Sequence, residues 1–323
     1  MPFPDNFQEM VPLTKKLILM VAFLLFFYPI AEARDKEMRI ALWKLPFNLP
    51  AIAAIENRIY EKIFEGEYKI EYINLPSGPK QIQAMAAGEL DIAEGLGAAA
   101  VIVGIANGAD ITIIGANSRS PEAFAVVVKN SKIKGITDLK GKKIAGLRGS
   151  VVHQLLIELL HKEGLAEKDI EFFPMPLNAA ASALIGERVD AALLAGTEII
   201  RAEKGGCRVL SDGKGIVEGL SLITARRKFV EKNQAAIEKY LETREKLRLE
   251  AVNSPNKYVT LLKKETGLSE KEIIIMLTKF NFDTIISERD IVELKTTSEY
   301  LKRENIIKSI PNINNLLWKQ RPF

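Results

Sequence analysis

Cysteine is almost missing. Cys207 is the one residue of its type in 323, which excludes an internal disulfide framework and any Cys-x-x-Cys metal ribbon. Histidine is as scarce: with His153 and His161 alone, a multi-histidine metal site or proton relay is a poor reading. Aromatics make up 7%, and no block of like charge stands out. Lys plus Arg (45) nearly balance Asp plus Glu (41), for a net charge of +4, so nucleic acid is not an expected partner. Gly (21) and Pro (14) carry no collagen or linker bias. What is present is globular composition, 47% hydrophobic and 27% charged, at a length suited to about two or three domains.

One apolar run precedes the rest. Lys15-Lys16 lead into Leu17 to Ala31, interrupted by Pro29, and Ala31-Glu32-Ala33 follows. The run is short of the ~20 residues that cross a bilayer comfortably. A basic start, a short apolar stretch and a small-x-small site read as a secretory signal peptide over residues 1–33. The alternative is an uncleaved N-terminal anchor, in which case this segment is the only expected membrane contact. No Cys follows the run, which excludes a lipid-anchored lipoprotein. Either way the remainder is expected outside the cytoplasm, in the periplasm or at the cell surface. A lone Cys suits that compartment as a small buried hydrophobe.

The rest of the chain contains one unit twice. Arg39 to Trp43 reads as a strand entering the loop Pro46-Phe47-Asn48-Leu49-Pro50. A helix with Ile52, Ile55, Ile59 and Ile63 on one stripe follows, with Asn48 suited to its N-cap and Pro50 to its first turn. Then come the strand Lys69 to Ile73, a helix rich in Ala, Gln and Met, the turn Gly88-Glu89-Leu90-Asp91 and a short strand Ile92-Ala93. From Lys143 the order recurs: strand, loop Arg148-Gly149-Ser150, helix closed by Gly164, strand Ile170 to Phe173, small-residue helix, turn Gly186 to Asp190, strand Ala191 to Leu194. The landmarks repeat at roughly 100 residues, a domain-sized period. Each unit is βαβαβ, which predicts a parallel sheet with right-handed crossovers.

The expected fold is therefore α/β: two similar βαβ lobes joined by a two-stranded hinge, with a ligand cleft between them. Ala123 to Lys129 and Leu220 to Ala225 are the strands leading across and back. Lobe one is expected over 38–125 plus 220–323 and lobe two over 126–219. Residues 228–323 read as helical, with Ser269-x-x-Glu272 as a capping box and Ser287-x-x-Asp290 as a weaker one.

Ligands of open α/β sheets bind beyond the carboxyl ends of the strands. Those loops are Trp43 to Asn48, Glu94 to Gly97, Asn117 to Ser120, Arg148 to Ser150 and Ala195 to Glu198. Gly95-Leu96-Gly97 and Gly149-Ser150 each precede a helix, where Gly admits a ligand to the backbone and the helix start offers unsatisfied N–H groups. Two such ends facing one cleft would clamp a sulfonate, nitrate or carboxylate; a tight turn without a ligand is the plainer alternative for either loop. Trp43 suits ligand stacking or core packing equally. Arg119 and Arg148 suit an anion, a solvated surface or a lobe-bridging ion pair. His153, in the first turn of the lobe-two helix, fits a rim contact or a packed residue better than a catalyst, and Cys207 lacks any nucleophile signature. Asp91 and Asp190 read as structural caps of repeated turns. The run of alternating charge from Glu242 to Glu250 reads as a solvated helix face.

Ile136-Thr137-Asp138-Leu139-Lys140-Gly141-Lys142-Lys143 resembles the segment that opens the second lobe of type II periplasmic solute-binding proteins. Gly149-Ser150 ahead of a helix, Gly186-x-x-x-Asp190-Ala191 and Tyr300-Leu301-x-x-x-x-Ile306-Ile307 are similar to the same family. The branch it resembles holds the aliphatic sulfonate, taurine and nitrate binding proteins, grouped with thiamine-precursor binding proteins. The resemblance spans about residues 38–318. It implies a monomeric extracytoplasmic receptor that closes over a small solute and hands it to an ABC importer permease, with no cofactor, no metal and no catalysis. It also implies ligand contacts from Trp43, Pro46, Asn48, Leu96, Gly97, Ala98, Ser118, Gly149, Ser150, Val151, Thr197 and Glu198, joined by Arg119 and Arg148. The loop at Gly95 to Ala98 has almost no side-chain donors, and Glu198 in the cleft would repel an anion. A zwitterion such as taurine or a neutral pyrimidine therefore stays open beside a sulfonate or nitrate. The competing reading is an enzyme on the same fold, of the thiamine-pyrimidine or menaquinone-pathway kind. The lone Cys and the export segment argue against it.

Overall fold

The computed structural model describes residues 36–42, 46–75 and 77–318. The expected export segment at 1–33 and the candidate Trp43 lie outside the described residues. The order begins β1 (Lys36–Ala41), α1 (Leu49–Glu56), α2 (Ile59–Ile63), β2 (Tyr68–Ile73), α3 (Gly78–Ala87), β3 (Ile92–Gly97), α4 (Ala98–Ala106) and β4 (Ile111–Ser118). It continues with β5 (Phe124–Val128), β6 (Lys143–Gly146), α5 (Val151–Lys162), β7 (Glu171–Pro174), α6 (Leu177–Ile185), β8 (Ala191–Ala195), α7 (Thr197–Lys204), β9 (Arg208–Asp212) and β10 (Ser221–Arg226). Five helices close it: α8 (Arg227–Lys232), α9 (Gln234–Asn253), α10 (Val259–Thr266), α11 (Glu270–Leu277) and α12 (Glu288–Arg303).

Two five-stranded sheets form, in the orders β2-β1-β3-β10-β4 and β7-β6-β8-β5-β9. The two orders correspond strand for strand, so the repeat read in the sequence is a repeat in topology. Its hinge-pins are two carboxylates. Asp91 Oδ2 accepts the N–H of Arg39 at 3.0 Å, and Asp190 Oδ2 accepts the N–H of Lys143 at 2.9 Å. Each turn carboxylate thus ties the start of the third strand of its unit to the first. Asp91 also pairs with Arg39 and Arg226 side chains.

The paired strands β1/β3, β6/β7 and β6/β8 of the βαβ units run parallel as expected, but each whole sheet is mixed because of the connecting strands it takes in. β10 runs antiparallel to β3 and β4, and β5 antiparallel to β8 and β9. The inserted strand in each sheet arrives directly from the other sheet with no crossover helix, so nothing forces it parallel. Phe124 and Ala125, on the lobe-one side of the expected limit, lie in the second sheet with the rest of β5.

Both faces of both sheets are covered. Along β5, Val126 and Val128 pack into one core cluster while Ala125 and Val127 pack into the one behind. β1 and β3 divide the same way: Ile40 and Ile92 on one face, Ala41 and Ala93 on the other. Period-two alternation between two apolar layers explains why these strands read as continuous hydrophobic runs.

Three local readings need correction. The Ile52–Ile63 stripe is two helices, broken at Arg58 (φ 52°). Asn48 stands at the N-cap of α1 but caps nothing, since its Oδ1 accepts Asn117 Nδ2 at 2.7 Å. The alternating charges of α9 are not all solvated: Arg244 is completely buried. Both C-terminal capping boxes form, on Ser269/Glu272 and Ser287/Asp290. Among the described residues no helix is long and apolar enough to cross a membrane.

Candidate ligand site

The two glycine-led helix starts meet at one cavity of about 800 Å³. Gly97 is the N-cap of α4 and, lacking a side chain, caps nothing. β3 extends through Gly97, so Gly95-Leu96-Gly97 is strand rather than loop. Ser150 is the N-cap of α5, but its Oγ donates to Leu147 O at 2.6 Å and does not cap the helix either. Gly149 beside it has φ +73°, a conformation that favours Gly. The first-turn amides of both helices are therefore left without side-chain caps at the rim of a shared space. Ala98 is an exception to the expectation, because its N–H is spent on Leu220 O at 3.1 Å. The open amides of α4 are those further into its first turn. Two uncapped helix N-termini add their partial positive charges in a space walled by Pro79, Ile82, Leu96, Val103, Leu220 and Ile306.

Of the sequence-derived candidates, Leu96, Gly97, Ala98, Arg148, Gly149, Ser150 and Val151 line this cavity. Arg148 is not free to take an anion alone: it pairs with Glu167 and lies 4.8 Å over the Phe172 ring. The others are held elsewhere. Arg119 is a correction, since its guanidinium forks onto Asp290 and donates to the carbonyls of Asp283 and Ile285 at 2.7 Å each. That side chain organises the start of α12, with four of its five N–H donors spent there and none directed at the cavity. Ser118 is buried against Ser221, Oγ to Oγ at 2.8 Å. Pro46 and Asn48 are buried. Thr197 and Glu198 do not line the cavity; Glu198 pairs with Arg201 at 3.1 Å, so the repulsion expected of it does not arise there.

Among the lining residues that escaped the sequence reading are Gln154 from α5, with Glu293 and Thr297 from α12. Gln154 is one turn past Ser150, so helical spacing could have found it. Nothing local marks Glu293 and Thr297, whose place depends on α12 packing against α4. Burial pushes the Glu293 carboxyl up to about 7.

His153 is fully buried, its Nδ1 bonded with Tyr300 Oη at 2.5 Å and its Nε2 3.2 Å from Glu167. Burial holds its imidazole down near pKa 4. Cys207 is buried, which pushes its thiol up and away from a nucleophile's range. Among the described residues no group of three or more His, Cys, Asp or Glu is placed to hold a metal.

The NMT1/THI5-like family profile matches residues 69–258. An Escherichia coli (strain K12) protein named for binding aliphatic sulfonates is 32% identical over 241 residues, 74% of this chain and 74% of its own. The crystal structure of the periplasmic aliphatic sulphonate binding protein SsuA from Escherichia coli superposes with a TM-score of 0.80 at 26% identity, covering 88% of this chain and 98% of that one. The alkanesulfonate-binding SsuA from Xanthomonas axonopodis pv. citri bound to MOPS gives 0.77 at 22% identity, with 88% and 98% covered; at that identity it speaks for the fold alone.

Proposed function

Because this chain belongs to the NMT1/THI5-like family, we propose that it is the extracytoplasmic receptor of an ABC importer and captures a small organic sulfonate. The observation that carries this reading is the pair of uncapped helix N-termini on one largely apolar cavity. A sulfonate has three oxygens for backbone N–H groups and an organic tail for an apolar wall. The named ligands of its relatives favour the same class. The cavity is at the upper end of the roughly 300–1,000 Å³ of small-ligand sites, more than a nitrate needs. Taurine and nitrate remain alternatives that the same assay separates.

In this reading the two sheets are the cores of lobes near 38–125 plus 220–323 and 126–219, hinged where β4 passes to β5 and β9 to β10. Gly97 and Gly149 belong to different lobes, so a ligand touching both favours the closed arrangement by its differential affinity. The closed monomer is what a permease would read. No bond in the solute changes. Binding by mass action raises the melting temperature. A thermal-shift panel of alkanesulfonates, taurine and nitrate is therefore the direct test, and a shift with sulfonates above the others is the expected result. No shift with any sulfonate at millimolar concentration would overturn the reading, as would recovery of a chemically altered sulfonate after incubation.

A further inference from the structure

Gln154 is 1% exposed and lines the cavity, and among the described residues its Nε2 has no hydrogen-bond partner. The other end of its amide is fixed, because Thr297 Oγ1 donates to Gln154 Oε1 at 3.0 Å. A buried amide donor without an acceptor is rare in a folded protein and calls for an explanation. Glu293, 6% exposed, lines the same cavity one helical turn from Thr297. Among the described residues no basic side chain pairs with its carboxyl. A donor wanting an acceptor and a carboxyl with acceptor capacity to spare thus border a space that is otherwise mostly apolar. An ammonium would answer Glu293 and leave Gln154 Nε2 unanswered. A methyl would answer neither. A hydroxyl accepts from the first and donates to the second.

We propose that the cavity carries a second, polar subsite, made by Gln154 and Glu293 and positioned by Thr297, which takes a hydroxyl on the tail of the organic sulfonate. This rests on the sulfonate reading above and narrows its substrate class to hydroxyalkyl sulfonates. A site built to bond a hydroxyl discriminates strongly against the analogue that lacks it, because its own buried groups are then left unpaired.

The test is isothermal titration calorimetry with two- to four-carbon hydroxyalkyl sulfonates, each against its methyl-terminated isostere, for example 2-hydroxyethanesulfonate against propane-1-sulfonate. The expected result is a preference of at least about tenfold for one hydroxylated member. In Gln154→Leu and in Glu293→Leu that preference falls towards unity, through loss of affinity for the hydroxylated member. Using two variants at different positions guards against one failing to fold. Sulfonate binding with no hydroxyl preference, or a preference unchanged in both variants, overturns the subsite and leaves the sulfonate reading standing. No binding of any sulfonate overturns both.

Discussion

Glu94 Oε2 accepts a hydrogen bond from Arg244 Nε at 2.9 Å, and solvent reaches neither side chain. Glu94 also accepts the hydroxyl of Tyr240, while Arg244 reaches Asn117 Oδ1 at 2.6 Å and Thr284 Oγ1 at 3.2 Å. A strand of the first sheet is thereby bolted to α9 through a buried, hydrogen-bonded ion pair. Removing one partner leaves a bare charge in apolar surroundings, so Arg244→Met or Glu94→Leu alone should cost about 3–5 kcal/mol of unfolding free energy. The double variant should recover much of it. Urea denaturation of the four proteins closes the cycle, and single variants within about 1 kcal/mol of the parent would contradict the account.

Gly97 and Gly149 should respond to substitution in opposite ways. Gly97 has φ −62°, and an added Cβ there meets nothing within 4 Å. Gly97→Val should therefore fold with a melting temperature within a few degrees of the parent, yet lose ligand affinity by more than about tenfold because the side chain enters the cavity mouth. Ser150→Phe should behave alike. Gly149 has φ +73° and only 3.2 Å between an added Cβ and Ile306 Cδ1. Gly149→Ala should thus lose roughly 1–2 kcal/mol of stability. Equal melting losses at both positions would refute the contrast.

His153 should withdraw stability in mild acid, against an opposing gain from the raised Glu293 carboxyl over the same range. In the folded protein burial lowers its pKa to about 4 from an ordinary 6.5. Between those values the unfolded chain binds a proton that the native one refuses. The imidazole's contribution is complete above about pH 6.5 and declines as the pH falls towards 4. Urea midpoints at pH 7.5 and pH 5 measure this. His153→Gln should show a smaller drop, or a larger gain, between the two than the parent, and an identical change would remove His153 as a source.

Arg119 should prove a stability residue that lysine cannot replace. Its fork spans both oxygens of Asp290 and two carbonyls, which a single ammonium cannot imitate. Arg119→Lys and Arg119→Ala should both lower the unfolding free energy measured by chemical denaturation, by about 3 kcal/mol for alanine. A full-stability Arg119→Ala with selectively weakened ligand binding would return this residue to the ligand site.

Much of this architecture is legible in the chain itself. The duplicated Asp91 and Asp190 turns, the capping boxes and the glycine-led helix starts are local signals, and local chemistry fixes what they do. The strand direction of β5 and β10 is not legible, because pairing direction depends on where the partner strand comes from. Arg244 misleads for a related reason. In a run of alternating charge, only the partner on a strand 150 residues away distinguishes the buried arginine from its solvated neighbours. Arg119 has the same difficulty, with its carboxylate 171 residues on. The cavity was half readable: its two helix starts announce themselves, whereas Glu293 and Thr297 enter only through the packing of α12.

The position of β10 between β3 and β4 bears on how the chain reaches its final form. β4 has no neighbouring strand in its own sheet until residues 221–226 have emerged from the ribosome, more than a hundred residues after it. The N-terminal half cannot mature alone, and the second sheet, complete by β9, is able to form ahead of the first. Such long-range closure slows folding, and a polypeptide slow to knit its first sheet stays threadable for longer after synthesis begins.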